Sequence, residues 1–504
     1  MTSSPVRLLV ATLLALPAAG AVAASFDFAE ALQRAGEVSG SVQGSSLDLQ
    51  SRQAQARAVD RLGMPIVGLS ALAARTSASA TVDTTGVAGA INPLVGGLGS
   101  SMGLTLPSVA NSYQLDRTSN LASAGLTALW PVYTGGKIDA IKDLVRARAR
   151  EGDAAHATEV GQLSTQVAER YFSVQLARQA LALREEVTVG MTEHVRAATL
   201  LESQGLIAYS DRLRADVALA GARQEEEKAR NDLDLAEVAL RRVLAVDDAV
   251  QTTTPLFVHS RSVGSLQSFI DAGKARHPIW ARLDSKREQA DASLRLQGRE
   301  WTPSVTALAN YNRPVGGFSG LGSSWVVGLQ VSLPLFSAVD HEQMRLAARL
   351  DQQRVELGAQ QAGRDIPTLV ESRWRQMENA RHAFLAAGPS IELARETLRL
   401  SRIAFAQSQS TVLDVTDAEL NLAKVRIERN RNAYDYVLAL AGLLEACGEP
   451  ERLAALAADA DILLRDPDVS DDRTMPARPA ASVFTPPDSV PAWAAVLPPA
   501  KGTR

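Results

Sequence analysis

One cysteine, Cys447, stands in 504 residues. No intrachain disulfide can form, and the residue reads as a buried thiol at a helix end. The six histidines are scattered without metal-ligand spacing, and no nucleophile stands near a base, so neither a metal site nor an enzyme is expected. Nothing calls for a cofactor. Basic clusters are missing as well: 52 Lys and Arg meet 56 Asp and Glu, a net charge of −4, which argues against nucleic acid as a partner. Past the N-terminus no segment offers about 20 apolar residues in a row, which excludes a spanning helix. Proline is absent from residues 132–254, which leaves room for very long helices.

At the N-terminus Arg7 precedes LLVATLLALPAAG and then Ala21-Val22-Ala23, so residues 1–23 are expected to be a secretory signal peptide. The alternative, an N-terminal membrane anchor, suits so short an apolar run less well. No cysteine follows the cleavage site to accept a lipid. An exported chain without a spanning helix is either soluble or a β-barrel.

The stretch LTALWPVYTGG (126–136) reads as a strand cut by Pro131 and followed by helix, and LQVSLPLFSAV (329–339) repeats that corner with Pro334, 203 residues later. The same offset places Val167 on Val370, Tyr171 on Trp374, Asp211 on Asp414 and Ala215 on Ala418. A constant offset over so long a run predicts two similar halves. The first repeat is expected over 24–254, with strands near 65–74 and 121–130 and long helices over 137–250. The second is expected over 255–455, with strands near 303–311 and 324–333 and long helices over 340–447.

The strand near 324–333 has the clearest two-residue period. Trp325, Val327, Leu329, Val331 and Leu333 share one face, and Ser324, Gly328, Gln330 and Ser332 the other. That is the pattern of a membrane-barrel strand, and also of a half-buried soluble sheet. Between the strands of the first half, a stretch rich in Gly, Ser and Thr (84–112) reads as an exposed loop. In the long helices Val160, Val167, Val174 and Leu181 recur every seven residues, as in coiled coils. Pro367 and Pro389 predict kinks or breaks in the second half. Residues 456–504, with seven prolines between Pro476 and Pro499, read as a disordered tail.

Four strands cannot close a membrane barrel, since the smallest have about eight. An open edge in lipid leaves backbone groups unpaired at several kcal/mol each, so several chains are expected to share one barrel. At this point the sequence resembles the TolC-like outer-membrane efflux proteins. The resemblance runs over about residues 26–455. It rests on the two corners, the export signal, and the helix-turn motifs ESQGLIAYSDRLRA (202–215) and SQSTVLDVTDAELNLA (408–423). Gly205, Leu206, Ala208 and Asp211 match the family's first turn; Val412, Asp414, Val415, Asp417 and Ala418 match its second.

The resemblance implies an α+β membrane protein: a homotrimer with a 12-stranded β-barrel in outer-membrane lipid, four strands per chain, continuous with a long periplasmic α-helical barrel. It implies a passive exit duct of a tripartite efflux pump or type I secretion system, with a periplasmic adaptor protein and an inner-membrane transporter as partners. Asp414 and Asp417 are three apart and share a helical face. Acids at a helix start are ordinary caps, whereas the resemblance makes this pair a ring at the tunnel entrance. Family members carry a tyrosine nine residues before the first of these acids and an arginine four before it, which help lock the entrance. Here those positions are Phe405 and Ser410, while Asp211, the tyrosine's partner, is kept. A coiled-coil adaptor or surface adhesin is the rival reading; it explains the helices but not four alternating strands in matched pairs.

Overall fold

The computed structural model describes residues 24–102, 107–314, 323–407 and 409–464. The expected signal peptide, residues 315–322 of the second interstrand loop, Ser408 of the second turn motif, and residues 465–504 lie outside that range. In chain order the elements are β1 (Ala24–Phe26), α1 (Phe28–Val38), α2 (Gly40–Val59), β2 (Ile66–Asp83), α3 (Thr85–Met102), β3 (Ser112–Tyr133), α4 (Lys137–Ser203), α5 (Tyr209–Leu244), β4 (Val250–Thr252) and β5 (Leu256–Val258). They continue with α6 (Leu266–Arg276), α7 (Pro278–Gly298), β6 (Ser304–Pro314), β7 (Ser324–Ser332), α8 (His341–Ala406), α9 (Val412–Ala446), α10 (Arg452–Ala458) and β8 (Ile462–Leu464). The offset of 203 residues holds at both long-helix turns: α4 ends at Ser203 and α8 at Ala406, and α5 starts at Tyr209 and α9 at Val412.

Four strands form one antiparallel sheet in the order β2-β3-β6-β7. Its register puts Leu69, Leu126, Tyr311 and Trp325 in one cross-strand row, with Val67, Ala128, Ala309 and Val327 in the next row on that face. The large side chains of these rows have no cover among the described residues; Leu69 is 81% exposed and Val327 71%. On the opposite face Gly68, Thr127 and Asn310 align, and Asn310 Nδ2 donates to Thr127 Oγ1 at 2.9 Å. The first face is therefore apolar and bare, as a barrel strand is towards lipid, while the other mixes small and polar residues with Ile66, Leu129, Leu308 and Val326. The β2–β3 pair runs on past the other two strands, from Ala73↔Ala122 to Asp83↔Ser112, so the first strand pair is longer than the alternation predicted.

Within the stretch read as an exposed loop at 84–112, of which residues 103–106 lie outside the described range, regular structure is found: Thr85–Met102 form α3, with Pro93 inside it. Asn92 fixes it to the returning chain: its side chain donates to Val109 O at 2.9 Å and accepts from Val109 N at 2.7 Å. The two corners also differ. Pro131 lies within β3, beyond the last β2 pairing at Leu129, so its missing N–H breaks no bond on that side. Gly135 and Gly136 then turn the chain with φ of +64° and +82°, and Thr302 occupies the space a side chain at Gly135 would need. Pro334 instead lies between β7 and α8 in a segment without regular structure, and Asp340 caps the helix by accepting from Glu342 N and Gln343 N.

A 67-residue α4 reaches about 100 Å at 1.5 Å per residue. Helix α8 runs unbroken through Pro367 and Pro389, where kinks or breaks were expected. Ile366, Val370, Phe384 and Ile391 beside those prolines are buried, and that packing outweighs the lost backbone bonds. Near the sheet, α4 packs on α2 and α7; farther away it packs on α5 and α9. Ion pairs follow the same division, with Arg295 to Asp143 on the α7 side and Arg426 to Glu186 on the α9 side, at 2.8 and 2.7 Å. Among the described residues no helix is long and apolar enough to cross a membrane.

The main core is a belt around the middle of the long helices, built on Phe28, Tyr171, Phe172, Phe257, Phe384 and Tyr436. The parallel pair β1–β4 and the antiparallel pair β5–β8 close it. Tyr171 ties the belt together: its hydroxyl donates to Phe26 O and accepts from Thr254 N, both at 2.8 Å. Cys447 caps α9 inside this belt, and burial pushes its thiol up to about 11. Regular structure continues through α10 and β8, so order extends beyond the expected tail boundary at 456.

Candidate functional site at the distal helical turns

Since α4 starts next to the sheet, its other end marks the far tip of the helical part. Two turns meet there. In the first, Gly205 takes φ +73°, and Gly205 N and Leu206 N donate to Glu202 O and Leu201 O. Leu206 is exposed. In the second, Thr411 opens α9 with a capping box: Asp414 N donates to Thr411 Oγ1, and the Asp414 carboxylate accepts from Thr411 N at 2.8 Å.

The two halves differ in how they use the equivalent acids. Asp414 also accepts from Thr411 Oγ1 and Ser410 Oγ, each at 2.8 Å. These donors, led by the Thr411 amide, hold its carboxyl below the usual carboxylate range. Ser410 thus supports the acid rather than bridging to the other hairpin. In the first half the cap position is Ala208, which has no side chain to offer, and Asp211 faces Arg214 at 3.7 Å. Asp417 is exposed and makes no hydrogen bond or ion pair with the described residues. Of the paired acids, Asp417 is therefore the free charge and Asp414 the bound one.

Asp211 comes next to Thr411, Val412 and Leu413, with which it lines a small cleft together with Arg214 and Ala215. Phe405 packs elsewhere. It is half-buried against Ala198, Ala215 and Val412 on one side and Leu398, Val415 and Ala418 on the other. Its ring seals the junction of the two hairpins by apolar contact.

A further cluster lies one to three turns up from the tip; Glu419 stands inside the second turn motif, but the motif does not show its partners. Glu419 of α9 is only 7% exposed. Its Oε2 stands 2.6 Å from His194 Nε2 on α4 and accepts from Arg402 Nη2 on α8 at 3.3 Å. It fits because α4 has Gly190 opposite: a Cβ there would overlap Glu419 Oε1 and lie 2.7 Å from Cδ. One carboxylate thus links three helices across both hairpins. The sequence signal was Gly190 in the interior of a long helical pattern, but Gly221, Gly363 and Gly388 share that pattern and have open space beside them, so the signal alone does not single it out.

A bare-faced four-stranded sheet continued by two long helical hairpins defines a barrel stave, the building unit of a membrane duct. The sequence profile of the outer membrane efflux proteins matches residues 31–246 and 273–449, and the chain belongs to that family. Outer membrane efflux protein BepC of Brucella suis is 27% identical over 288 residues, which are 55% of this chain and 61% of that protein. Outer membrane protein TolC of Vibrio cholerae is 22% identical over 354 residues, covering 68% of this chain and 80% of that one. The outer membrane channel CmeC of Campylobacter jejuni superposes with a TM-score of 0.69 at 12% identity, over 86% of this chain and 90% of that chain. The fold is accordingly that of the outer-membrane channels, and family membership makes the chain an outer membrane efflux protein.

Proposed function

We propose that three copies of this chain form one exit duct, through which a tripartite efflux pump or a type I secretion system discharges cargo. The free edges of the sheet carry this reading. Both β2 and β7 are unpaired outwards, and in hydrocarbon each open backbone group costs several kcal/mol. Pairing β7 of one copy with β2 of the next removes every edge. Three copies give about twelve strands and leave a lumen, whereas eight give a filled interior. The helical hairpins then continue the wall through the periplasm.

The distal turns are the gate. Gly205, Leu206 and Val412 shape the tips that meet the adaptor, Asp211, Phe405, Ser410 and Asp414 hold the closed form, and Asp417 presents charge to the entrance. Pro131 and Pro334 mark the two handovers from barrel to helix. Cargo selection belongs to the inner-membrane transporter. Planar-bilayer recording tests the duct: the purified protein should open discrete, cation-preferring channels, and a protein that leaves the bilayer sealed is not a duct.

A further inference from the structure

Near the sheet the helices form a row α2-α4-α7-α8, each packed on the next. The row follows the sheet order β2-β3-β6-β7, so α2 and α8 end the row as β2 and β7 end the sheet. A second offset relates its members. Helix α1 starts at Phe28 and α6 at Leu266, α2 at Gly40 and α7 at Pro278, and β2 at Ile66 and β6 at Ser304, 238 residues apart each time. Together with the 203-residue offset from α4 to α8, this gives the joint between α4 and α7 a counterpart, α8 with α2. Those two helices stand at opposite ends of the row.

The inner joint shows what this face is for. Asp143 of α4 pairs with Arg295 of α7 at 2.8 Å, and Arg150 pairs with Glu288, so the two helices run antiparallel. Ala147 and Ala154 share that face of α4 at three- and four-residue spacing, and both are buried. Ser285 and Ala292 share the facing side of α7 and are buried as well. Their counterparts are bare. Leu350 and Leu357 stand where α4 has Ala147 and Ala154, and they are 54% and 64% exposed. Leu346, in the place of Asp143, extends the same exposed stripe. On α2, Leu47 and Ala54 stand where α7 has Ser285 and Ala292; both are exposed, Leu47 by 63%. Gln353 and Gln50 replace the charged pair Arg150 and Glu288.

We infer that α8 packs on α2 of a second copy in the register that α4 and α7 use. Leu357 then meets Leu47 of the second copy, and Leu350 meets its Ala54. The inference rests on the shared-duct reading above and supplies the residues and chemistry of the seam. Ion pairs join the halves within a chain, and leucines join one chain to the next. A head-to-tail joint of this kind closes into a ring.

Disulfide cross-linking in outer membranes tests it with two paired variants, Leu357→Cys with Leu47→Cys and Leu350→Cys with Ala54→Cys. Cys447 is buried and does not compete. Helices α4 and α7 separate α2 from α8 within the chain, so a link joins two copies. Oxidation should move most of each variant from the monomer band to covalent dimer and trimer bands on a non-reducing denaturing gel. The control pair, Leu346→Cys with Leu47→Cys, should stay monomeric. Leu346 stands level with Arg57, the counterpart of Arg295, and Leu47 lies about 15 Å from there along α2, beyond disulfide reach. All these positions are exposed in the single chain, so its fold tolerates the changes. Native mass spectrometry of the reduced samples separates the two readings. Trimers that do not link, or that link equally in the control pair, overturn this seam and leave the duct standing. A parent protein that is a folded monomer overturns both.

Discussion

Gly190→Ala gives a change whose sign depends on one carboxylate. Alanine in a helix interior is favoured over glycine by about 1 kcal/mol. Here the new methyl would collide with Glu419, whose side chain is 9% exposed and holds His194 at 2.6 Å and Arg402 at 3.3 Å. Displacing the carboxylate weakens a charge-assisted hydrogen bond, at about 1.5–3 kcal/mol. The balance is a net loss of about 0.5–2 kcal/mol. In a Glu419→Ala background the obstacle is gone, and the same substitution should stabilise by about 1 kcal/mol. Urea unfolding followed by far-UV circular dichroism measures both values as midpoint shifts. Equal destabilisation in the two backgrounds would refute the three-helix link and leave Gly190 as a plain packing position.

The remaining predictions concern the tip. The double change Phe405→Tyr with Ser410→Arg adds a hydroxyl and a charge able to reach the first hairpin, worth roughly 1.5–3 kcal/mol as a charge-assisted bond. It should lower single-channel conductance, and parental conductance would mean that Phe405 already closes the tip by packing. Asp417→Ala should reduce cation preference more than Asp414→Ala, since only Asp417 is free of local donors; equal effects contradict the division of roles. The depressed Asp414 pKa fixes the sign of a pH effect. Its contribution is in place above the usual carboxylate range and is lost as pH falls through the lowered folded value. Asp414→Asn should flatten the acid side of the melting-temperature profile, and an unchanged slope would show that the cap does not stabilise the native form.

Alternation and repetition were legible because they follow from local geometry. Val327 and Leu329 could be placed on one face from a two-residue period alone, and the likeness of the two halves followed from the offset between Asp211 and Asp414. The heptad seam was legible only in part. Val167 and Val174 are fully buried, but Val160 is 41% exposed, because a seven-residue repeat drifts around a 3.6-residue helix. The helix α3 was hidden by its glycines, and its anchors are side-chain bonds from Thr84, Thr85 and Asn92 to the returning chain at Ala110, Asn111 and Val109, which no local pattern shows. Continuity through Pro367 and Pro389 depends on tertiary packing that no local rule contains. The acids at the tip were visible as a pair, but their different roles were not. Those roles are set by Thr411 and Ser410 on one side and by Ala208 on the other. Glu419 was invisible for the same reason: its partners lie on other helices, distant in sequence.

The shared barrel is the central claim, and native mass spectrometry of the protein extracted from outer membranes in detergent tests it most directly. A four-stranded sheet with two open edges and a bare apolar face predicts a trimer as the smallest folded species. A stable, folded monomer would contradict it, because the edges of β2 and β7 would then need no partner.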